Sequence, residues 1–338
     1  MKDTTEQFTR ILAIETSCDE TAAAVVENGT EILANEVASQ LQVHEIYGGV
    51  FPEVASRIHV EVVYQVVDRT LATAHLGVDD LDCIAVTRGP GLVGSLLVGV
   101  NVAKGLSFGR GIPLLGINHL EGHIYSQWLA ARDDEIEFPI IVLVISGGHT
   151  EMFLMTGHLQ YEHLGGTLDD AAGEAFDKVG RLLGLAFPGG PAIDEISAEG
   201  NPVSFQFPRA VLRDGYNFSF SGLKTAVMRE TQKYEQDRMP VADMAASFQA
   251  AVVDVLVTKV AAAAEEFGAN AVHIAGGVSA NSSLREEMRS KIPISVRFPP
   301  IDLCTDNAAM IAAAAHQRYI AGFRDSLDLD VMPSFRLV

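Results

Sequence analysis

Short apolar runs separated by turn residues predict the secondary structure of the first quarter of the chain. Residues 11–14 and 22–26 are apolar runs of strand length, and Asn28-Gly29 joins the second run to a third at 32–37. Because Asn-Gly between two strands favours a type I′ turn, the sequence predicts a β-hairpin there. Apolar residues then recur at helical spacing over residues 52–74, which begin with a proline suited to the first turn of a helix.

The same order of elements occurs twice along the chain. The first copy continues with a strand at 83–86, the turn RGPGLVGS, a helix at about 95–108 and a strand at 113–117. The second copy has strands at 140–145, 152–155 and 160–164, then a later strand at 271–274 that is followed by the turn AGGVSAN. This duplication predicts two α/β lobes around a cleft, the architecture of the actin-like ATPase (ASKHA, ribonuclease H-like) fold.

The duplication also divides the chain into domains. Residues 1–134 form the predicted N-terminal lobe, and the C-terminal helix at about 306–338 could pack back on it. Residues 135–305 form the predicted C-terminal lobe, with an insertion rich in proline and glycine at about 187–224. The length of 338 residues agrees with two domains of ~150 residues each. With 48% hydrophobic and 20% charged residues, the composition argues against a disordered chain.

The net charge of −20 opposes long-range attraction to nucleic acids. Any contact with RNA would therefore be local or assisted by a partner. Two groups of basic residues are the first places to look for such a contact, although most groups of this kind are simply solvated surfaces. The groups are Arg209, Arg213, Lys224, Arg229, Lys233 and Arg238, and then Arg285, Arg289, Lys291 and Arg297.

Cysteine content and apolar runs bear on the location of the protein. The three cysteines form no CxxC pair, which argues against a disulfide framework and a zinc knuckle. The first ten residues lack the apolar core of a signal peptide. The longest apolar runs noted, at 92–102 and 139–145, are shorter than the ~20 residues that span a bilayer. The sequence predicts a cytoplasmic protein without a membrane segment.

The segment HLEGH places His119 and His123 one helical turn apart on the same face, which is a spacing typical of metal ligands. The alternative to a metal site is an ordinary helix that Asn118 caps and in which the two histidines have no shared role. The motif differs from the HExxH of zinc peptidases, because Glu121 lies midway between the histidines and points about 200° away from His119. A metallopeptidase is therefore disfavoured.

A third metal ligand would have to come from elsewhere, and Asp306 in LCTDNAAM is the candidate. The alternative is helix capping, because Thr305, Asp306 and Asn307 are all good N-cap residues ahead of the last long helix. On residue types alone the capping role is favoured.

Two glycine-rich turns after apolar strands, SGGHT and AGGVSAN, would let backbone N–H groups approach phosphates. Plain tight turns have the same composition, but two in equivalent positions favour a nucleotide site. No P-loop or GxGxxG motif is present. Asp177 and Asp194 suit hydrogen bonds from ribose hydroxyls, with a solvated acidic helix as the alternative. Asp19 and Glu20 could position a metal or water, or could cap a turn.

Ten motifs in order resemble one family. They are ETSCDET, YGGVFPEVASRIHV, RGPGLVGSLLVG, NHLEGH, VISGGHT, DDAAGEAFDKVGRLLG, FPGGP, FSFSGLKT, AGGVSAN and LCTDNAAM. Together they span about residues 11–315 and resemble the TsaD (Gcp) family. The resemblance implies transfer of a threonylcarbamoyl group from threonylcarbamoyl-AMP to N6 of adenosine 37, in tRNAs that read codons starting with A.

The resemblance also implies roles for individual residues and partners. Its metal ligands match His119, His123 and Asp306, and the metal is Fe(II) or Zn(II). Its substrate-binding positions match Val144, Ile145, Ser146, Gly147, Gly148, Asp177, Gly190, Asp194 and Asn281. The implied partners are tRNA, TsaB and TsaE if the source is bacterial, and TsaC as the enzyme that supplies the adenylate. No side chain stands out as a general base. An ATPase or small-molecule kinase, a metallopeptidase and a non-catalytic scaffold are the rival functions.

Overall fold

A computed structural model describes residues 8–129, 137–210 and 215–338. These residues divide into two compact units. Unit 1 takes the chain up to residue 134 together with Asp306–Leu337, and unit 2 takes residues 135–305 and Val338. The second part of unit 1 is the last long helix and the C-terminal segment.

Unit 1 is built on a five-stranded sheet in the order β3-β2-β1-β4-β5. Its strands are β1 (Arg10–Glu15), β2 (Glu20–Glu27), β3 (Glu31–Ser39), β4 (Cys83–Gly89) and β5 (Leu114–Asn118). Its helices are α1 (Leu41–Glu45), α2 (Pro52–Ala74), α3 (Val93–Arg110), α4 (His119–Tyr125) and α10 (Ala308–Ile320). β1 pairs antiparallel with β2 and parallel with β4, so it lies at the centre of the sheet and reads as a continuous apolar run.

The predicted hairpin between β2 and β3 is confirmed. Asn28 and Gly29 have φ angles of 54° and 74°, and the Thr30 N–H donates to the Glu27 carbonyl at 3.2 Å. Positive φ at both central residues is the type I′ geometry, which matches the twist of the flanking strands. The predicted helix over 52–74 has the same bounds as α2.

The C-terminal segment after α10 packs along β4 and β5 of unit 1. The Asp325 N–H donates to the Leu114 carbonyl, and the Met332 N–H donates to the Arg88 carbonyl. Leu329 is buried in the core of the unit. The segment also reaches the end of β5, where the Asn118 amide donates to the Phe335 carbonyl at 3.1 Å.

Unit 2 repeats the topology of unit 1, which confirms the duplication. Its sheet has the order β10-β9-β6-β7-β8, and β6 pairs antiparallel with β7 and parallel with β9. The strands are β6 (Ile140–Ile145), β7 (Thr150–Gly157), β8 (Gln160–Gly166), β9 (Ala271–Ala275) and β10 (Ser295–Arg297). The helices are α5 (Ala172–Leu182), α6 (Gly189–Ser197), α7 (Ser221–Thr231), α8 (Val241–Glu266) and α9 (Ser282–Lys291).

Helix α8 corrects the sequence-based view of the apolar segments. With 26 residues, it is the one helix in the described part of the chain that is long and apolar enough to cross a membrane. Of the most apolar 18-residue stretch of this helix, 67% is buried. Phe248 of α8 packs edge-on against Phe176 of α5 in the core of unit 2. The sequence-based search for apolar runs did not single out α8, because Asp254 and Lys259 interrupt its apolar residues, and the helix belongs to the buried core of unit 2.

Candidate metal centre and glycine-rich turns

The structure brings His119, His123 and Asp306 together within unit 1. The His119 Nε2 lies 3.5 Å from the Asp306 Oδ1, and the His123 Nε2 lies 3.2 Å from the same oxygen. One donor atom from each residue falls within 4.8 Å of the others, so the group could hold a metal ion. Both histidines are buried, whereas the Asp306 side chain keeps 22% of its surface exposed.

The helix termini explain how these ligands are placed. The Asn118 Oδ1 accepts from the Leu120 N–H at 2.8 Å, so Asn118 caps α4 as predicted while the histidines that follow it still meet the third ligand. The cap of α10 is Asn307, whose Oδ1 accepts from the Met310 N–H at 3.0 Å. The interpretation of Asp306 as the cap is therefore wrong, since the neighbouring residue has that role and Asp306 lies against the imidazoles.

Helix α10 packs closely on α4, which brings Asp306 to the histidines. Gly122 lies at the contact, where an added Cβ would be 2.6 Å from the Ile311 Cδ1. Glu121, which is fully buried, forms a bidentate ion pair with Arg318 of α10, at 2.6 and 3.1 Å. Since both oxygens of Glu121 contact the guanidinium, this carboxylate is not placed to act as a general base on water.

Glu15 is a residue of this region that the sequence analysis missed. Its Oε2 lies 3.0 Å from the His119 Nδ1, and the Ser17 Oγ lies 3.2 Å from the same nitrogen. Asp19 and Glu20, which the sequence suggested for a metal or a water, do not belong to the group of potential metal ligands found in the described residues. The available signal was a glutamate directly after the apolar run at 11–14.

Burial and charge act differently on the two histidines. Burial disfavours a charge on His119, but Asp306 and Glu15 outweigh it and raise the pKa of His119 to about 9. Burial lowers the pKa of His123 despite its contact with Asp306. The pKa of Glu15 is lowered, because the His119 charge outweighs the effect of burial. The cluster therefore attracts positive charge at neutral pH.

The glycine-rich turn after β6 lies at the N-terminus of α5 in unit 2. The Ser146 N–H donates to the His149 carbonyl at 2.8 Å, and the Gly173 N–H donates to the Ser146 carbonyl at 3.2 Å. Gly147 and Gly148 are exposed, and an added Cβ would meet no atom within 4 Å at either position. Their backbone is therefore accessible to a ligand.

Further contacts join the helices that carry other predicted substrate-binding positions. The Asp177 Oδ1 accepts from the Gly189 N–H at 2.8 Å, next to Gly190, where a Cβ would again meet open space. The two oxygens of Asp194 accept from the Ser282 N–H and Oγ at 3.0 and 2.8 Å. The structure thus ties α5 to α6 and α6 to the N-terminus of α9.

Asn281 and the end of β6 complete this part of unit 2. Asn281 caps α9 by accepting from the Leu284 N–H at 2.9 Å, and its amide donates to Gln249 at 2.7 Å. Val144 and Ile145 are fully buried on the central strand, where Val144 pairs with both neighbouring strands, so their side chains are closed to a ligand.

Most residues of the predicted basic groups are engaged within the protein. Ion pairs join Arg209 to Asp254 at 2.8 Å, Lys224 to Asp170 at 2.8 Å, Lys233 to Glu230 at 2.6 Å, Arg238 to Glu235 at 3.8 Å and Lys291 to Glu287 at 2.8 Å. Arg285 donates to the carbonyls of Ser279 and Pro299 at 2.7 and 2.9 Å. Arg213 lies outside the described residues. These basic groups therefore present less positive charge than the sequence suggests.

The duplicated topology defines a protein of the ASKHA fold class. Full-length HypF in a phosphate- and nucleotide-bound form is similar over 93% of this chain and 47% of its own, with 14% identity and a TM-score of 0.61. Component A of (R)-2-hydroxyglutaryl-CoA dehydratase from Acidaminococcus fermentans is similar over 93% and 99%, with 14% identity and a TM-score of 0.54. At these identities the likeness shows the fold alone, and it confirms the predicted fold class.

Sequence similarity then identifies the family. The family model described as TsaD: tRNA N6-adenosine threonylcarbamoyltransferase matches residues 31–313. A tRNA N6-adenosine threonylcarbamoyltransferase from Thermomicrobium roseum is 53% identical, with 97% of each chain covered. The chain belongs to the TsaD family and is an enzyme that transfers a threonylcarbamoyl group to N6 of a tRNA adenosine.

Proposed function

We propose that this enzyme takes the threonylcarbamoyl group from threonylcarbamoyl-AMP and transfers it to adenosine 37, with a divalent metal held by His119, His123 and Asp306. The observation that carries the proposal is the convergence of both Nε2 atoms on one Asp306 oxygen, at 3.5 and 3.2 Å. Two imidazoles and one carboxylate suit Fe(II) or Zn(II). A metal bound there would supply Lewis acidity that polarises the carbamoyl carbonyl.

The reaction explains why such a site is needed. The exocyclic amine of adenine is a weak nucleophile because its lone pair is delocalised into the ring. The acyl donor must therefore be electrophilic and held close to the amine, and the AMP half of the adenylate is a good leaving group. The Asp306 side chain keeps 22% of its surface exposed, so the proposed ligand cluster is not sealed from solvent. Holding both reactants in place lowers the entropic part of the barrier.

The glycine-rich part of unit 2 is the proposed site of the adenylate. The accessible backbone of Gly147 and Gly148 would face the phosphate, as suits glycines that precede a helix N-terminus, and Ser146 would contribute through the turn that it closes with His149. Asp177 and Asp194 would accept from the ribose hydroxyls, and Gly190 leaves room beside them. Asn281 and the backbone of Val144 and Ile145 would complete the contacts. HypF, a protein of the same fold, has been solved with phosphate and nucleotide bound, so this fold can accommodate a nucleotide.

Binding of tRNA depends on partners in this proposal. The chain carries a net charge of −20, and most residues of its basic groups are engaged internally. Electrostatic fields are screened over ~8 Å at physiological salt, so the remaining basic residues act only locally. TsaB and TsaE are therefore expected to assist tRNA capture, and TsaC to supply the adenylate, in the cytoplasm. The ion pair between Glu121 and Arg318 argues against a peptidase.

Reconstitution with labelled threonine tests the proposal. The chain is mixed with threonylcarbamoyl-AMP and unmodified tRNA, with and without TsaB and TsaE, and label on the tRNA is counted. We expect transfer by the wild type with its partners and little transfer by His123→Ala. Because the wild type and His123→Ala share the same unit 2, both should bind AMP equally. Wild-type rates in His123→Ala would contradict the metal assignment.

A further inference from the structure

Glu15 lies at the end of β1, with its side chain fully buried beside the metal-ligand cluster. Its Oε2 is 3.0 Å from the His119 Nδ1, while the Nε2 of the same ring faces Asp306. A hydrogen bond to one imidazole nitrogen fixes both the tautomer and the orientation of the ring, so it decides where the other nitrogen points.

The carboxylate of Glu15 is itself held on both oxygens. The Thr87 hydroxyl donates to Oε2 at 2.6 Å, and the Ser17 N–H donates to Oε1 at 2.5 Å. Thr87 lies on β4, which pairs in parallel with β1, so the sheet fixes the donor as well as the acceptor. A buried polar group with all its partners in place is rigid. The Glu15 Oε2, which accepts from the Thr87 hydroxyl, is therefore held against the His119 Nδ1.

The second histidine has no comparable support. The His123 Nδ1 is buried and has no hydrogen-bond partner in the parts of the chain that the structure describes. Glu121, the carboxylate within the histidine motif, contacts Arg318 instead. Glu15 is therefore the carboxylate that holds a ligand ring in this cluster.

Formal charge gives an independent reason for a carboxylate at this position. In the metal-bound form both imidazoles would be neutral, so Glu15 and Asp306 would together carry a charge of about −2 that needs compensation. One divalent cation between the histidines and Asp306 would balance both carboxylates. Glu15 thus complements the metal electrostatically without being a ligand.

From these contacts we infer that Glu15 is a positioning residue that holds the His119 Nε2 toward the metal and strengthens its binding. This inference rests on the metal site of the proposed function. The expected consequence is a 10- to 100-fold loss of metal affinity, about the effect of removing such a partner from a metal-ligating histidine.

Competition between the full-length protein and a chromogenic chelator for Zn²⁺ measures the effect. Glu15→Gln keeps the size of the side chain and removes its charge, and we expect affinity about 10- to 100-fold below the wild type. Glu27→Gln is the matched control, because Glu27 lies on β2, the strand that pairs with β1, and forms an ion pair with Arg10 at 2.8 Å. Its affinity should equal that of the wild type.

A second pair of variants keeps the test informative if Glu15→Gln folds poorly. Thr87→Val removes the hydroxyl that donates to Glu15, whereas Thr87→Ser keeps it. We expect several-fold weaker Zn²⁺ binding in Thr87→Val and near wild-type binding in Thr87→Ser. In every variant that folds, excess metal should restore the transfer rate, because a positioning residue acts on metal affinity and not on the substrate.

The outcomes separate this inference from the metal site itself. If Glu15→Gln and Thr87→Val bind Zn²⁺ as tightly as the wild type while His119→Ala does not, the role of Glu15 is wrong and the metal site stands. If excess metal fails to restore transfer in a folded Glu15→Gln protein, the positioning role is also wrong. Equal binding by the wild type and His119→Ala would overturn both the metal site and the inference.

Discussion

Glu121 and Arg318 form a buried bidentate ion pair that joins the helix of the histidines to the helix that follows Asp306. The two bonds measure 2.6 and 3.1 Å, and Glu121 is fully buried while Arg318 keeps 26% of its side chain exposed. A planar guanidinium matches a carboxylate in this geometry, which fixes both distance and angle. The pair therefore maintains the spacing between the imidazoles on α4 and the Asp306 carboxylate.

Replacing Arg318 should destabilise unit 1. Arg318→Ala leaves the Glu121 charge buried without its partner, and we expect the free energy of unfolding to fall by about 3–5 kcal/mol. Arg318→Lys cannot form two parallel bonds, so its free energy of unfolding should lie between those of the wild type and Arg318→Ala. The single tryptophan, Trp128, lies in unit 1, so its fluorescence during urea denaturation reports on this unit. Equal midpoints for Arg318→Ala and the wild type would contradict the stabilising role of the ion pair between Glu121 and Arg318.

Variants of Asp306 and Asn307 should separate the effect of metal binding from the effect of helix capping. Asp306→Asn keeps the size of the ligand but loses its charge, so we expect clearly weaker metal binding with little change in stability. Asn307→Ala removes the bond to the Met310 N–H and should lower the free energy of unfolding by about 1 kcal/mol. Metal content and urea midpoints of the two variants give the comparison. Full metal content and full transfer in Asp306→Asn would show that Asp306 is not a ligand.

The sequence could predict features that depend on local chemistry. The Asn28-Gly29 turn, the helix over Pro52–Ala74 and the cap at Asn118 follow from residues close together in the chain. The duplication was also visible, because each copy carries its own turns and strands. These features depend on backbone preferences and periodicity, which a single sequence displays directly.

Other features needed the three-dimensional structure. Thr305, Asp306 and Asn307 are equivalent as caps on residue type, and the choice of Asn307 depends on how α10 packs against α4. The bond from Glu15 to His119 joins residues 104 positions apart, so no local pattern could reveal it. The internal contacts of Arg285 likewise depend on the loop near Pro299.

Gly147 offers a test of the adenylate site that leaves the fold intact. An added Cβ would meet nothing within 4 Å, so Gly147→Val should keep the melting temperature of the wild type. The larger side chain would occupy the space in front of the turn, and we expect affinity for AMP or a stable adenylate analogue to fall at least tenfold. Isothermal titration measures this affinity.

Gly173→Val is the contrasting variant for this turn. Its Cβ would lie 2.5 Å from the Ser146 carbonyl oxygen, so the protein itself should lose stability. A stable Gly147→Val protein that binds nucleotide as the wild type does would rule out the phosphate site at this turn.

His273 should make the stability of unit 2 depend on pH. Burial, aided by the charge of Arg297, lowers its pKa to about 3, whereas an unfolded histidine titrates near pH 6.5. The unfolded state therefore binds a proton that the folded state does not, and stability falls as the pH drops from 6.5 toward 3. Between pH 7.5 and 5 this residue should reduce the free energy of unfolding by roughly 2 kcal/mol.

The control for this pH effect is His273→Leu, which removes the titrating group from β9. Urea denaturation followed by circular dichroism at both pH values gives the difference between the two proteins. The loss of stability on acidification should be smaller in the variant. Parallel losses in the two proteins would contradict the assignment to His273.

The dependence of threonylcarbamoyl transfer on bound metal tests the central claim most directly. Wild-type protein is stripped with a chelator, reloaded with increasing Fe(II) or Zn(II), and assayed with threonylcarbamoyl-AMP, tRNA and its partners. Asp306→Asn is treated in the same way. We expect transfer to disappear on stripping, to return in proportion to bound metal up to one ion per chain, and to require more added metal in the variant. Full transfer by the stripped wild type would contradict the account.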